Sequence, residues 1–250
     1  MNINEEEEIK REFQLERVIL FSDAVFAIII TIMVLEIKLP ESLRHANPEQ
    51  IREAFNELIP KFLGYALSFF LIGNFWFRHL QIFSFLKNYN AILISLNLAF
   101  LFFVSMFPFA VTFISMGIDI MRYAWGLFTY IGIIFLVTFS QTLIVHYLLK
   151  NKAELCINNN KMETVLRWKV QRLNYVILPL IFVGMIAMNY FKLDPRLLLY
   201  SLGGYALLIN FLNKKYYPGQ KGNKPVLFKQ LKARKRKVKA SLIEETPPES

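Results

Sequence analysis

The sequence is poor in the side chains from which soluble enzymes build their sites. Among 250 residues there is one cysteine, Cys156, and there are three histidines, His45, His79 and His146. A single thiol permits no intramolecular disulfide. Cys156 sits in a polar stretch just before Asn158, Asn159 and Asn160 and reads as an incidental loop thiol, because a zinc or redox centre needs more ligands nearby. The histidines fall one each in a loop and in two separate apolar segments, without metal-ligand spacing. No metal, no cofactor and no nucleophile–base cluster of an enzyme is therefore expected. Charge is scarce as well, at 19% of residues against 55% hydrophobic. Acidic side chains are missing from the middle of the apolar segments: Glu36, Asp119 and Asp194 all lie near segment ends. That argues against a carboxylate relay crossing a membrane midplane. The N-terminus lacks the pattern of a signal peptide, since Met1 to Gln14 carries Glu5 to Glu8 and no apolar run. The first apolar block is expected to stay in the mature protein as an anchor.

What the sequence does have is long apolar blocks separated by short charged loops, with 24 phenylalanines that suit lipid and helix packing. Six blocks read as spans: Arg17 to Lys38, Pro60 to Leu80, Asn90 to Ser115, Arg122 to Leu149, Trp168 to Phe191 and Pro195 to Leu212. Each is long enough to cross a core of about 30 Å at ~1.5 Å per residue. The expected fold is an all-α integral membrane protein of six transmembrane helices. The expected organisation is a cytoplasmic N-terminal segment (1–16), a membrane domain (17–212) and a basic, unstructured cytoplasmic tail (213–250). Between the first two spans, Asn47, Pro48 and Glu49 read as an N-cap, a first-turn proline and a first-turn acid. Ile51, Phe55, Leu58 and Ile59 follow at helical spacing, so a short amphipathic helix is expected there.

Six spans place both termini on one side of the membrane. That side receives Lys10, Arg11, Arg17, Arg78, Lys87, the cluster from Lys150 to Arg172 and the whole basic tail; the other receives Lys38, Arg44, Arg52, Lys61, Arg122, Lys192 and Arg196. The excess of Lys and Arg puts both termini in the cytoplasm. The tail, from Lys214 through Lys239, is expected to contact anionic lipid, each charge contributing about 1 kcal/mol near the surface, rather than nucleic acid.

The first span is chemically unusual. Asp23, with Ser22 beside it, lies a turn or two inside the end where an anchor should be apolar. Either Asp23 snorkels to the interface, or it enters a network with Arg17 on its own helix and with Trp76 and His79, which an antiparallel second helix brings to similar depth. Beyond it Ala24, Ile28, Thr31 and Leu35 share one helical face. That stripe is either an ordinary packing face or, if several copies met on an axis, a pore wall with apolar rings and a ring of hydroxyls.

Arg17, Phe21, Ser22 and Asp23 form an Arg-x-x-x-Phe-Ser-Asp motif. With Phe75, Trp76 and His79 in the second span and Asn97, Leu98, Phe107 and Pro108 in the third, the chain resembles the prokaryotic branch of the transmembrane protein 175 family of potassium channels. The motif is specific in the first span and fades to hydropathy alone from the fourth onward. The resemblance implies a homotetramer in a prokaryotic cell membrane that conducts potassium with modest selectivity over sodium. It implies no re-entrant filter loop, and the sequence indeed has no Thr-Val-Gly-Tyr-Gly run. By position, Ile28 would be the main hydrophobic constriction, Thr31 the polar ring beside it and Leu35 a second apolar ring. Arg17, Ser22, Asp23, Trp76 and His79 would hold the pore helix in place. The competing reading is a secondary transporter or proton-conducting pathway through Asp23 and His79.

Overall fold

The computed structural model describes residues 3–37, 47–115, 120–157, 162–194 and 196–218. Lys38, Arg44, His45, Asp119, the Asn158–Asn160 turn, Pro195 and the tail from 219 onward lie outside the described residues. Helix α1 runs Ile3–Ile32 and passes into a 3-10 turn, Met33–Glu36. The α-helix thus stops short of the expected Lys38. The sequence supplies the reason: Pro40 has no N–H to continue the ladder and disfavours helical backbone at Leu39, so the last turn tightens instead.

Helix α2, Pro48–Phe83, starts from the expected cap: Gln50 N–H donates to Asn47 Oδ1 (2.9 Å) and Asn47 N–H to Gln50 Oε1 (3.0 Å). It differs from expectation in being continuous. The amphipathic connector and the second span are one helix running through Pro60. A proline removes a single ladder bond, here to the Asn56 carbonyl, and Asn56 is exposed, where solvent compensates. The third segment does the reverse and breaks into α3, Ala91–Ser105, and α4, Phe107–Ser115. Pro108 cannot donate to the Val104 carbonyl, and the Met106 N–H turns onto Phe103 and Val104 instead.

Helix α5, Ile120–Lys150, is the long fourth segment. Three single-turn helices follow: α6 (Lys152–Leu155), α7 (Met162–Val165) and α8 (Trp168–Gln171). Helix α9, Asn174–Tyr190, completes the fifth segment, which the i→i+3 bonds of Leu173 N–H to Val170 O and Tyr175 N–H to Arg172 O divide from α8. Helix α10, Arg196–Tyr216, is the last. Among the described residues five stretches are long and apolar enough to cross a membrane: Phe13–Leu35, Pro48–Phe83, Ala91–Phe113, Trp125–Lys150 and Trp168–Met188. The chain is a multi-pass membrane protein. The expected sixth span folds as α10 but is not among these five, because Gly203, Gly204, Asn210, Asn213, Lys214 and Lys215 dilute its apolar character.

The core lies between α1, α2, α3, α4 and α5. Helix α1 turns Leu15, Ser22, Phe26, Ile29 and Met33 inward, a spacing of seven, four, three and four that keeps one helical face buried. Phe26 meets Phe100 of α3 at 5.9 Å and His79 of α2 at 5.8 Å between ring centroids. Lipid gives helices no hydrophobic reason to associate, so this ring packing and the hydrogen bonds below are what hold α1. One sequence expectation is corrected here. Cys156 is 1% exposed, its thiol reaches the Leu148 carbonyl at 3.9 Å, and an antiparallel bridge joins it to Leu86. It is a packing residue, drawn inward because Lys87 N–H donates to Leu155 O (2.9 Å) and Ile157 N–H to Phe85 O (2.8 Å) on either side of it.

Candidate functional site

Three helices contribute polar side chains to one depth of this core. Ser22 of α1 and His79 of α2 are both fully buried, and Asn97 of α3 is 2% exposed. Asn97 Nδ2 donates to Ser22 Oγ at 2.9 Å, and Ser22 Oγ donates to the Val18 carbonyl at 3.0 Å. With the amide nitrogen committed to Ser22, Asn97 Oδ1 faces His79 Nε2 at 2.9 Å and can only accept. The imidazole therefore carries its proton on Nε2, and Nδ1 is left buried without a partner among the described residues. Phe83 stacks on the ring at 4.0 Å and Phe100 lies parallel to it at 5.4 Å. The bonds run one way, from His79 through Asn97 and Ser22 to the α1 backbone.

Asp23, next along α1, is half-buried and accepts a hydrogen bond from Trp76 Nε1 of α2 at 2.8 Å. This interhelical hydrogen bond ties α1 to α2 at a defined rotation. Ser22, Asp23, Trp76 and His79 thus meet in two adjacent contacts, and Arg17 takes part in neither: it lies exposed on α1. Asn97 is the residue that sequence reasoning did not place in the cluster. It was visible as part of a motif, but only the crossing of α3 against both other helices makes it the bridge between Ser22 and His79.

The opposite face of α1 is bare. Ile28 is 55% exposed and Leu35 66% exposed, and Ala24 and Thr31 are exposed with them. The Thr31 hydroxyl folds back onto the carbonyls of Ala27 and Ile28, both at 2.9 Å, which leaves its oxygen lone pairs outward. Leu35 lies on the 3-10 turn that continues α1. One helix thus has a locked face bearing Ser22, Phe26 and Ile29 and an unpartnered face bearing Ala24, Ile28 and Thr31.

Residues 17–108, which contain all of these side chains, match the model of the family described as endosomal/lysosomal potassium channel TMEM175. A potassium channel of Chryseobacterium sp. (strain P1-3) is 41% identical over 95 residues, covering 38% of this chain and 46% of that one. The endosomal/lysosomal proton channel TMEM175 of Gallus gallus is 33% identical over 100 residues, covering 38% of this chain and 20% of that one. These curated relatives are thus matched over less than half their length. The fold is similar to the crystal structure of a lysosomal potassium-selective channel TMEM175 homolog from Chamaesiphon minutus, with a TM-score of 0.60 at 22% identity, over 79% of this chain and 97% of that one. At that identity the likeness speaks for the fold alone.

Proposed function

Because residues 17–108 match the TMEM175 family model and are similar to a potassium channel at 41% identity, we propose that the chain is a cation channel of that family, conducting potassium with modest preference over sodium, whose pore is lined by α1 of four identical subunits. The family and the relatives are channels, not enzymes. The observation that carries the reading is the two-faced character of α1. A helix fixed on one side by hydrogen bonds and stacked rings, and bare on the other, suits a wall around a shared axis. In such an assembly Ile28 forms the main constriction, because an ion that sheds its water finds no ligands in an apolar ring, and Leu35 forms a second. Thr31 presents hydroxyl oxygens that attract a cation without trapping it as a carboxylate would. Ser22, Asp23, Trp76 and His79, with Asn97, hold the wall in register. Arg17 joins that clamp only where a neighbouring subunit or a lipid phosphate meets it.

In the same reading α10 is the sixth membrane helix, no re-entrant loop enters the pore, and the chain divides into an N-terminal segment (1–16), a membrane domain (17–212) and a tail (213–250), with α1 and α10 running on across both boundaries and the tail helical as far as Tyr216. Both termini are cytoplasmic in a prokaryotic cell membrane, and the basic tail rests on anionic lipid. Recordings from the purified chain in planar bilayers test the function. Under opposed potassium and sodium gradients the reversal potential should follow potassium; one that ignores the potassium gradient rejects the reading.

The runner-up is proton conduction or transport through Asp23 and His79, favoured by the name of the Gallus gallus relative and by the buried, half-partnered imidazole. It requires slow, saturable flux that Asp23→Asn abolishes while Ile28 is intact. Ohmic current that survives Asp23→Asn excludes it.

A further inference from the structure

A second polar region lies away from α1, on the other side of α2. Asn74, Phe77, Arg78 and Gln81 follow at spacings of three, one and three, so they share one face of that helix. This face looks into an open cavity of about 330 Å3 lined also by α7, α8, the start of α9 and the second half of α10. That volume is at the low end of the roughly 300–1,000 Å3 typical of small-molecule sites. Arg78 and Arg167 both line it, and no aspartate or glutamate does. The two guanidinium groups are close enough to act on each other electrostatically. Arg78 lies near the C-terminal end of α2, proposed to be cytoplasmic, and two guanidinium groups sharing a cavity with no acidic side chain in its lining are a costly arrangement unless an anion joins them. Arg167 is held there by backbone at φ 53° and ψ 43°, the left-handed region that non-glycine residues sparsely occupy.

The rest of the wall is preorganised. Tyr205 of α10 donates to Asn174 Oδ1 at 2.9 Å, and Asn174 Nδ2 donates to Thr142 Oγ1 of α5 at 3.0 Å, so the phenol is fixed on the cavity's edge. Lys169 N–H donates to Tyr217 Oη at 3.2 Å and ties α8 to the end of α10. Asn213, also on the wall, keeps its side-chain oxygen buried with no partner among the described residues. The cavity therefore offers two forked cations for anionic oxygens and one unpaired acceptor for a hydroxyl. Arginine forks match phosphate oxygens in bidentate fashion.

We propose that the cavity between α2, α8 and α10 binds a phosphate group that carries a hydroxyl donor, with Arg78 and Arg167 on the phosphate oxygens and Asn213 accepting from the hydroxyl. Both a phosphoglycerol lipid headgroup and a soluble phosphomonoester have this chemistry. The test is thermal unfolding of the purified full chain in a neutral detergent at fixed ionic strength. The probes are glycerol 1-phosphate, short-chain phosphatidylglycerol and, as controls, short-chain phosphatidylcholine and chloride. Saturable stabilisation by at least one phosphate probe and by neither control is expected. A response to phosphatidylglycerol alone assigns a lipid headgroup; a response to glycerol 1-phosphate assigns a soluble ligand. Losing a charge-assisted hydrogen bond should weaken binding at least about tenfold in Arg78→Gln and in Arg167→Gln. Arg172→Gln, an exposed charge outside the cavity, should leave it unchanged. Arg167 lies in a connection rather than in a long helix, so its variant tests the site even where Arg78→Gln does not fold. No saturable shift with either phosphate probe, or affinity unchanged in Arg167→Gln, overturns the proposal.

Discussion

Asn97 shows how much one side chain can decide in a lipid-embedded core. Its amide occupies both His79 Nε2 and Ser22 Oγ, so Asn97→Ala strips two partners at once from fully buried groups. Interhelical hydrogen bonds in membranes contribute about 0.6–2 kcal/mol each, so the variant should lose about 2 kcal/mol or more of stability, seen as a lower unfolding temperature in detergent. Trp76→Phe keeps the ring but removes the N–H that Asp23 accepts. A hydrogen bond contributes roughly 0.5–1.5 kcal/mol net, and its loss should appear in the same assay, with altered gating because α1 can then rotate. Variants as stable as the parent would show that these contacts do not fix the helix. Cys156 offers a check on the packing instead. Burial pushes its thiol above the ordinary range, so the reactive thiolate is scarcer at neutral pH than in a free cysteine. Maleimide labelling of the folded protein should be slow at pH 7, should gain speed only at higher pH than a free thiol needs, and should become fast on denaturation.

At the scale of the element, α1 carries the account. Ile28→Ala should widen the apolar ring and raise current several-fold, read as single-channel conductance or open probability, while stability stays near the parent's because Ile28 is more than half exposed within one chain. Unchanged current would place the constriction elsewhere. That Ala24, Ile28 and Thr31 share a face was legible from their helical spacing, which left open whether that face is packed or bare, and Asp23 was legible because a carboxylate in an apolar run needs a partner. Two things were not legible. The roles of Trp76 and His79 follow from antiparallel depth, but the bridge through Asn97 depends on how α3 crosses α1 and α2, which no local pattern encodes. The proline effects were opposite in sign at two sites: α2 passes through Pro60, where the freed carbonyl sits on exposed Asn56, whereas Pro108 breaks the third segment beneath buried Val104. An unpaired carbonyl costs more where its surroundings are buried, which fits a continuous helix at the first site and a break at the second.

At the scale of the whole molecule, the proposed pore needs more than one subunit. Among the described residues the α1 stripe is largely exposed, and a pore on that stripe needs further copies around one axis. Spans and loops could be read from hydropathy, as five of the six expected segments show, but assembly leaves no periodic trace in a sequence. The most direct measurement is block of current by a charged thiol reagent at a cysteine placed on the stripe. Cys156→Ser supplies the background, and Thr31→Cys is compared with Ile29→Cys on the buried face, which is 5% exposed. If α1 lines a cation pathway, a water-soluble cationic methanethiosulfonate should suppress potassium current through Thr31→Cys and leave Ile29→Cys untouched. Potassium current that persists in fully modified Thr31→Cys channels would contradict the account.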